Sequence, residues 1–214
     1  VSNNKVLGVY KINDDALNKK QDELVGINLK KILPKYDLVI VSDYGHGFIS
    51  NKNAKIICRY SKYLALNAQI NAANVGYHSM RNYKNIDCVI INNREIHHEM
   101  RDRSTETELL MKNLSHQRNI KNLIVTKGNK GAVIYNKKNK KFNSCEAFAD
   151  TVVDKIGTGD AMLSIISLCL KMNMNNELSL LLSSLAAAQS IETIGNKETI
   201  NKTKILKTIE HLLR

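Results

Sequence analysis

Tyr36-Asp37-Leu38-Val39-Ile40-Val41-Ser42-Asp43 is an apolar run that closes on two polar residues. A strand that is apolar at every step, rather than at alternate steps, is buried on both faces, and such strands belong to parallel sheets covered by helices. The glycine-rich turn Tyr44-Gly45-His46-Gly47 follows, and residues 51–66 have a helical pattern. The strand theme returns in Asp87-Cys88-Val89-Ile90-Ile91-Asn92. Next come a helix with Leu109, Leu110 and Leu114 on one side and a third buried strand, Asn122-Leu123-Ile124-Val125-Thr126. Gly131-Ala132-Val133-Ile134-Tyr135 and the stretch from Lys141 to Cys145, joined through Asn136–Lys140, read as a hairpin. Beyond Gly157 the pattern is helical over 158–172, 177–193 and 201–213. Strands alternating with helices predict an α/β fold, a mostly parallel sheet with helices on both faces. The strands at 37–42, 87–92 and 122–126 are expected to run parallel in it. Ligands of such sheets bind beyond the carboxyl ends of the strands. Three ends carry polar groups, Ser42-Asp43, Asn92 and Thr126-Lys127-Gly128, which predicts one shared cleft facing the turn at 157–159.

The chain has 214 residues, of which 43% are hydrophobic and 24% charged, the composition of one globular domain with a sizeable core. Its formal net charge is +12. An enzyme of anionic substrates, a nucleic-acid binder, or drift in a chain rich in Asn, Lys and Ile all fit that value. The basic pairs Lys19-Lys20, Lys30-Lys31, Lys137-Lys138 and Lys140-Lys141 lie far apart, and aromatic residues make up only 5%. No aromatic motif is interleaved with them to stack bases, so no nucleic-acid partner is expected. No apolar run approaches the length of a membrane span, and no membrane partner is expected. The opening residues VSNNKVLGVYKINDD lack the charged-then-apolar order of a leader and an initiator Met, so the chain is expected to be part of something longer. Cys58, Cys88, Cys145 and Cys169 have no metal spacing and read as free thiols of a cytoplasmic protein. His97-His98-Glu99 lacks the spacing of a metalloprotease helix, since Asp102 stands where the second ligand would be, and these histidines read as helix-surface residues.

The strongest chemical signal is Asp154-Lys155-Ile156-Gly157-Thr158-Gly159-Asp160, followed by an apolar helix. Glycines at 157 and 159 let the backbone turn with no side chain in the way. Free N–H groups at the helix start, aided by the helix dipole, suit an anion, and Asp160 falls in the first turn beside them. Phosphoryl transfer needs this pair of features: donors for the charge of the transferring group, and a carboxylate to take the proton of the attacking alcohol. A helix that merely starts on a Gly-rich turn, with Asp160 complementing the dipole, reads the same residues without chemistry.

This stretch resembles the second signature of the ribokinase-like (PfkB) sugar kinases, commonly Asp-Thr-x-Gly-Ala-Gly-Asp, with Asp154, Gly157, Gly159 and Asp160 matching and Lys155 and Thr158 differing. The resemblance implies that Gly157, Thr158 and Gly159 form an anion hole, that Asp160 is the catalytic base, and that Asp154 belongs to the nucleotide site. Asn92-Asn93-Arg94-Glu95 resembles the Asn-x-x-Glu motif of that family, which implies that Asn92 and Glu95 organise magnesium and phosphate through water, with no direct protein ligand to the metal. Val125 to Gly131 resembles its nucleotide loop, implying contacts from Thr126, Lys127, Gly128 and Gly131, and Ala187 falls on the helix that packs beside the adenine. Val41 to Gly47 is similar to the heptose-phosphate kinases of the family, implying that Asp43, Gly45 and His46 meet the acceptor; His46 stands where those kinases commonly have Lys. Residues 69–74 lack the Asp-Pro-Lys usual on the following strand. On this resemblance residues 1–214 are the C-terminal, nucleotide-binding portion of a ribokinase-like fold truncated at its N-terminus, with residues 5–12 a surviving lid strand. The implied activity is ATP- and Mg2+-dependent phosphorylation of a sugar or sugar phosphate. A homodimer or a fused partner domain fits the same reading. The alternative is a non-catalytic nucleotide-binding module within a larger sugar-processing protein.

Overall fold

The computed structural model describes residues 15–69, 79–149, 153–154, 156–192 and 198–212. The expected lid strand at 5–12, residues 70–74 and Lys155 lie outside these. Side-chain caps decide where several helices begin. Asn18 accepts from the Gln21 N–H and the Gln21 side chain accepts from the Asn18 N–H, a reciprocal box that starts α1 (Lys19–Ile32). Ser50 caps α2 (Asn51–Tyr60), Asn92 caps α3 (Asn93–Met100) and Asn175 caps α6 (Asn176–Ile191). The other helices are α4 (Thr107–Arg118), α5 (Thr158–Lys171) and α7 (Lys202–Leu212).

Six strands form one sheet in chain order: β1 (Val39–Asp43), β2 (Leu64–Ala68), β3 (Ile86–Asn92), β4 (Ile120–Thr126), β5 (Ala132–Asn136) and β6 (Lys141–Cys145). The first four run parallel, and β5 and β6 each run antiparallel to the strand before. The expected α/β class, parallel strands and hairpin are all present. The expected helix over 51–66 is not. It ends at Tyr60, where the N–H of Ser61 closes on the Ile57 carbonyl and the backbone turns extended. Leu64-Ala65-Leu66-Asn67-Ala68 is instead a strand buried at all five positions, between β1 and β3. Leu and Ala favour helix by local propensity, but burial on both faces of the sheet overrides it here.

Alternation along the strands divides the core in two. Leu64, Leu66, Val89, Ile91, Leu123, Val125, Val133 and Tyr135 face α2, α3 and α4 through Ile57, Ile96, Leu110, Met111 and Leu114. Ala65, Cys88, Ile90, Ile124, Ala132 and Ile134 face α5 and α6 through Met162, Leu163, Ile166, Leu170, Leu180 and Ala187. The helices thus cover both faces of β2 to β4. At the β1 edge, Ile40 and Ser42 stay exposed, so the strand expected to be buried on both faces is covered on one. All four cysteines are free, with Cys88 and Cys169 buried and Cys58 and Cys145 half-buried. Among the described residues, no helix is long and apolar enough to cross a membrane.

Candidate active site

The parallel register aligns the carboxyl ends of the strands. Asp43 pairs with Ala68, Leu66 with Val89, and Asn92 with Thr126. Strands lie about 4.8 Å apart, so this row from β1 to β4 spans about 14 Å. Gly157, at φ +83°, ends the chain segment that arrives from α6's end of the molecule: the Val153 and Asp154 N–H groups donate to the Ile191 carbonyl, and Asp154 Oδ1 accepts from the Ile156 N–H at 3.0 Å. Asp154 is therefore half-buried and shapes the turn. As the residue before α5, Gly157 offers no side chain to cap it. Helix geometry leaves the first-turn N–H groups without acceptors inside the helix, and a side chain built at Gly159 would meet nothing within 4 Å. The surface beside Gly159 is therefore open.

Asp160 is exposed in this first turn, and the end of β1 reaches it directly. The Ser42 hydroxyl donates to Asp160 Oδ1 at 3.2 Å and the Tyr44 hydroxyl donates to Oδ2 at 3.1 Å. Tyr44 stacks on His46, with ring centroids 6.4 Å apart and planes 8° apart. Burial, and next the Asp160 charge, raise the Tyr44 phenol above its ordinary pKa, so it stays a donor at neutral pH. The sequence marks Ser42 as a polar end of β1 in the shared cleft, but it gives neither hydroxyl a role at Asp160.

Other candidates divide by what holds them. Asp43 is buried, with one oxygen accepting from the Gly45 N–H at 3.0 Å and the other from the Tyr83 hydroxyl at 2.7 Å. Its carboxylate thus organises the turn that carries Gly45, itself at φ +69°. Asn92 and Glu95 form a reciprocal box at the start of α3: the Glu95 N–H donates to Asn92 Oδ1 at 2.9 Å, and the Asn92 N–H donates to Glu95 Oε2 at 2.6 Å. Thr126 is half-buried beside Asn92, while the Lys127 ammonium pairs with Glu108 at 2.7 Å and lowers the pKa of that carboxyl. The loop closes through the Lys127 N–H, which donates to the Gly131 carbonyl at 2.7 Å. Gly128 and Gly131 both have positive φ, at 62° and 78°. Ala187 lies buried in the core beneath the sheet rather than on an open wall. The structure thus joins Asp160 to the end of β1 and sets Asn92 beside Thr126 on the same edge.

The profile of the pfkB family carbohydrate kinases matches residues 12–203. Among curated proteins, the chain is similar to the bifunctional protein HldE of Campylobacter fetus subsp. fetus, at 26% identity over 190 residues, 87% of this chain and 38% of that one. It is also similar to the HldE protein of Campylobacter curvus, at 27% identity over 192 residues, 85% of this chain and 37% of that one. The chain therefore spans under two-fifths of the length of these relatives. Of solved structures, phosphofructokinase-2 from Escherichia coli superposes with a TM-score of 0.75 at 14% identity, covering 93% of this chain and 64% of that one. Ribokinase from Arabidopsis thaliana, complexed with ribose and ATP, gives 0.69 at 16% identity, covering 91% and 60%. Both share the fold.

Proposed function

The chain belongs to the pfkB family of carbohydrate kinases, and from that premise we propose that it transfers a phosphoryl group from ATP to a hydroxyl of a sugar or sugar phosphate, with Asp160 as general base and Gly157, Thr158 and Gly159 as the anion hole. The observation that carries this reading is the junction of a helix start flanked by Gly157 and Gly159 with a carboxylate held by two hydroxyls from the end of β1. The acceptor hydroxyl would give its proton to Asp160 as its oxygen bonds to the terminal phosphorus and the bond from that phosphorus to the nucleotide's bridging oxygen breaks. The N–H groups of the turn face the charge that spreads over the phosphoryl oxygens. Ser42 and Tyr44 position the base, and His46, stacked on Tyr44, fills the acceptor side of the same turn. Thr126, Gly128 and Gly131 shape the proposed nucleotide side. Lys127 would serve it by exchanging its bond to Glu108 for a phosphate.

The donors at the strand ends suit magnesium held mainly by phosphate and water. Glu95 offers one buried carboxylate beside Asn92, and no group of three or more His, Cys, Asp or Glu gathers among the described residues. Bound there, the ion would neutralise phosphate charge, with Asn92 and Glu95 reaching it through water. The resemblance of the Val41 to Gly47 turn to that of the heptose-phosphate kinases favours a sugar phosphate as acceptor. We read residues 1–214 as the nucleotide-binding portion of that kinase domain.

The test is turnover of Asp160→Asn, followed as ADP release with saturating acceptor. Loss of a general base lowers kcat by roughly 10²–10⁴-fold, while nucleotide affinity should stay near wild type because the side chain keeps its size. Wild-type kcat in this variant would leave Asp160 a dipole-complementing residue and overturn the mechanism. Nucleotide binding with no turnover in the wild-type protein, across sugars and sugar phosphates, is the result that favours the non-catalytic module.

A further inference from the structure

The chain is poor in arginine: seven Arg against 25 Lys. Five of the seven, Arg81, Arg94, Arg101, Arg103 and Arg118, line one open groove of about 1050 Å³, and no lysine lines it among the described residues. Arg94, His97, His98 and Arg101 follow helical spacing along one face of α3 and its end, opposite Arg81 and Arg118. Drift toward lysine cannot gather the rare arginines in one place. Arginine differs from lysine in presenting a planar fork of donors that grips phosphate or carboxylate through two bonds at once.

The groove carries more positive charge than it neutralises. Among the described residues its only carboxylates are Glu99 and Asp102, leaving an excess of three positive charges with the histidines neutral. Both carboxylates are engaged. Glu99 accepts from the Met80 N–H at 3.1 Å and lies 3.7 Å from Arg118, and Asp102 accepts from the N–H groups of Ser104 and Thr105, each at 2.9 Å. Among the described residues, Arg94, Arg101 and Arg103 have no carboxylate within ion-pair distance. The Arg118 Nε is buried without a hydrogen-bond partner. Asn93 and Arg94, which stand between Asn92 and Glu95, line the groove where it borders the strand-end site, but Ser42, Tyr44, Asn92, Glu95, Thr126 and Asp160 do not line it.

We propose that this groove is a second anion site, separate from the strand-end site, for a small ligand carrying two or more phosphoryl groups. A single carboxylate would leave most of the excess charge unmet. An oligophosphate matches it, and the volume is ample for a small molecule. The proposal stands whether or not Asp160 is a base.

The probe is inorganic tripolyphosphate, titrated by calorimetry into the protein in magnesium-free buffer with the nucleotide site saturated by ADP. The wild-type protein should bind it, and Arg101→Gln/Arg103→Gln should weaken it about tenfold or more, as expected when a charge-assisted hydrogen bond is lost. Both side chains are exposed and have no acidic partner, so the fold should hold, with circular dichroism as the check; Arg94→Gln serves if the double variant fails to fold. Lys138→Gln/Lys141→Gln, which removes the same charge elsewhere, should change affinity less than about twofold. Equal loss in the two double variants would reduce the effect to diffuse net charge and overturn the proposal. So would absence of wild-type binding at millimolar tripolyphosphate, or a 20-nucleotide RNA that binds more tightly than tripolyphosphate and depends on the same arginines.

Discussion

Both oxygens of Asp160 are occupied by hydroxyl donors, so in the proposed reaction the acceptor alcohol would share or displace one of them. Tyr44 is the donor whose state depends on pH. Its pKa is raised, so the phenol proton and the bond it makes persist through the neutral range, and both are lost only as pH climbs beyond the ordinary value of 10.0. Tyr44→Phe is therefore expected to lower kcat by about tenfold, the value of one charge-assisted hydrogen bond. The KM for ATP and the melting temperature should stay near wild type, since Tyr44 is exposed and lies on the proposed acceptor side. The glycines of the 128–131 loop offer a sharper contrast. A Cβ at Gly131 would stand 2.0 Å from the Cys145 carbonyl oxygen, whereas one at Gly128 meets nothing within 4 Å, though both have positive φ. Urea unfolding should show Gly128→Ala costing about 1–2 kcal/mol for the left-handed backbone alone. Gly131→Ala should cost clearly more, because β6 must also move away.

Among the elements, α3 is where capping and proposed chemistry share the same atoms. Asn92→Ala should lose about 1 kcal/mol of stability in urea, the usual worth of an N-cap. Asn92→Asp should keep the cap, because its carboxylate still accepts from the Glu95 N–H. If Asn92→Asp matches wild type in stability yet binds ATP more weakly, the residue serves nucleotide beyond its cap; equal ATP affinity would confine it to capping. The strands β1, β3 and β4 were legible in the sequence because Val and Ile crowd them on both faces. β2 was not, since Leu64-Ala65-Leu66-Asn67-Ala68 carries no β-branched residue and only its place between parallel neighbours makes it a strand. α1 announces itself by Asn18 and Gln21, a box that its weakly apolar surface left unnoticed. The turn from Asp154 to Asp160 was readable because its residues are adjacent. Ser42 and Tyr44 were not recognised as partners of Asp160, because they lie 118 and 116 positions away and only the folded sheet brings them together. Asp43 and Ala187 carry structural roles besides the ligand contacts the family resemblance implies: Asp43 organises its turn and Ala187 packs in the core.

In the whole molecule, one sheet serves two separate cores. Leu114, 1% exposed, packs on one face and Ile166, 0% exposed, on the other. Each truncation to Ala should cost about 2–5 kcal/mol. Because they lie in separate core clusters on opposite faces, their costs should add to within about 0.5 kcal/mol in the double variant. A clear departure from that sum would mean the sheet transmits strain between its faces. The division also has an order in time. The sheet and the helices of its first face are complete by Cys145, whereas α5 begins at Thr158 and α6 ends at Ile191. A chain leaving the ribosome at about 5–20 residues per second therefore passes through an interval of seconds as a finished sheet with one naked wall, formed by Ala65, Cys88, Ile90, Ile124, Ala132 and Ile134. During that interval the nascent protein offers an apolar surface to chaperones or to other unfinished copies. A ribosome that stalled after β6 had emerged but before α5 and α6 did would leave that wall exposed for as long as it paused.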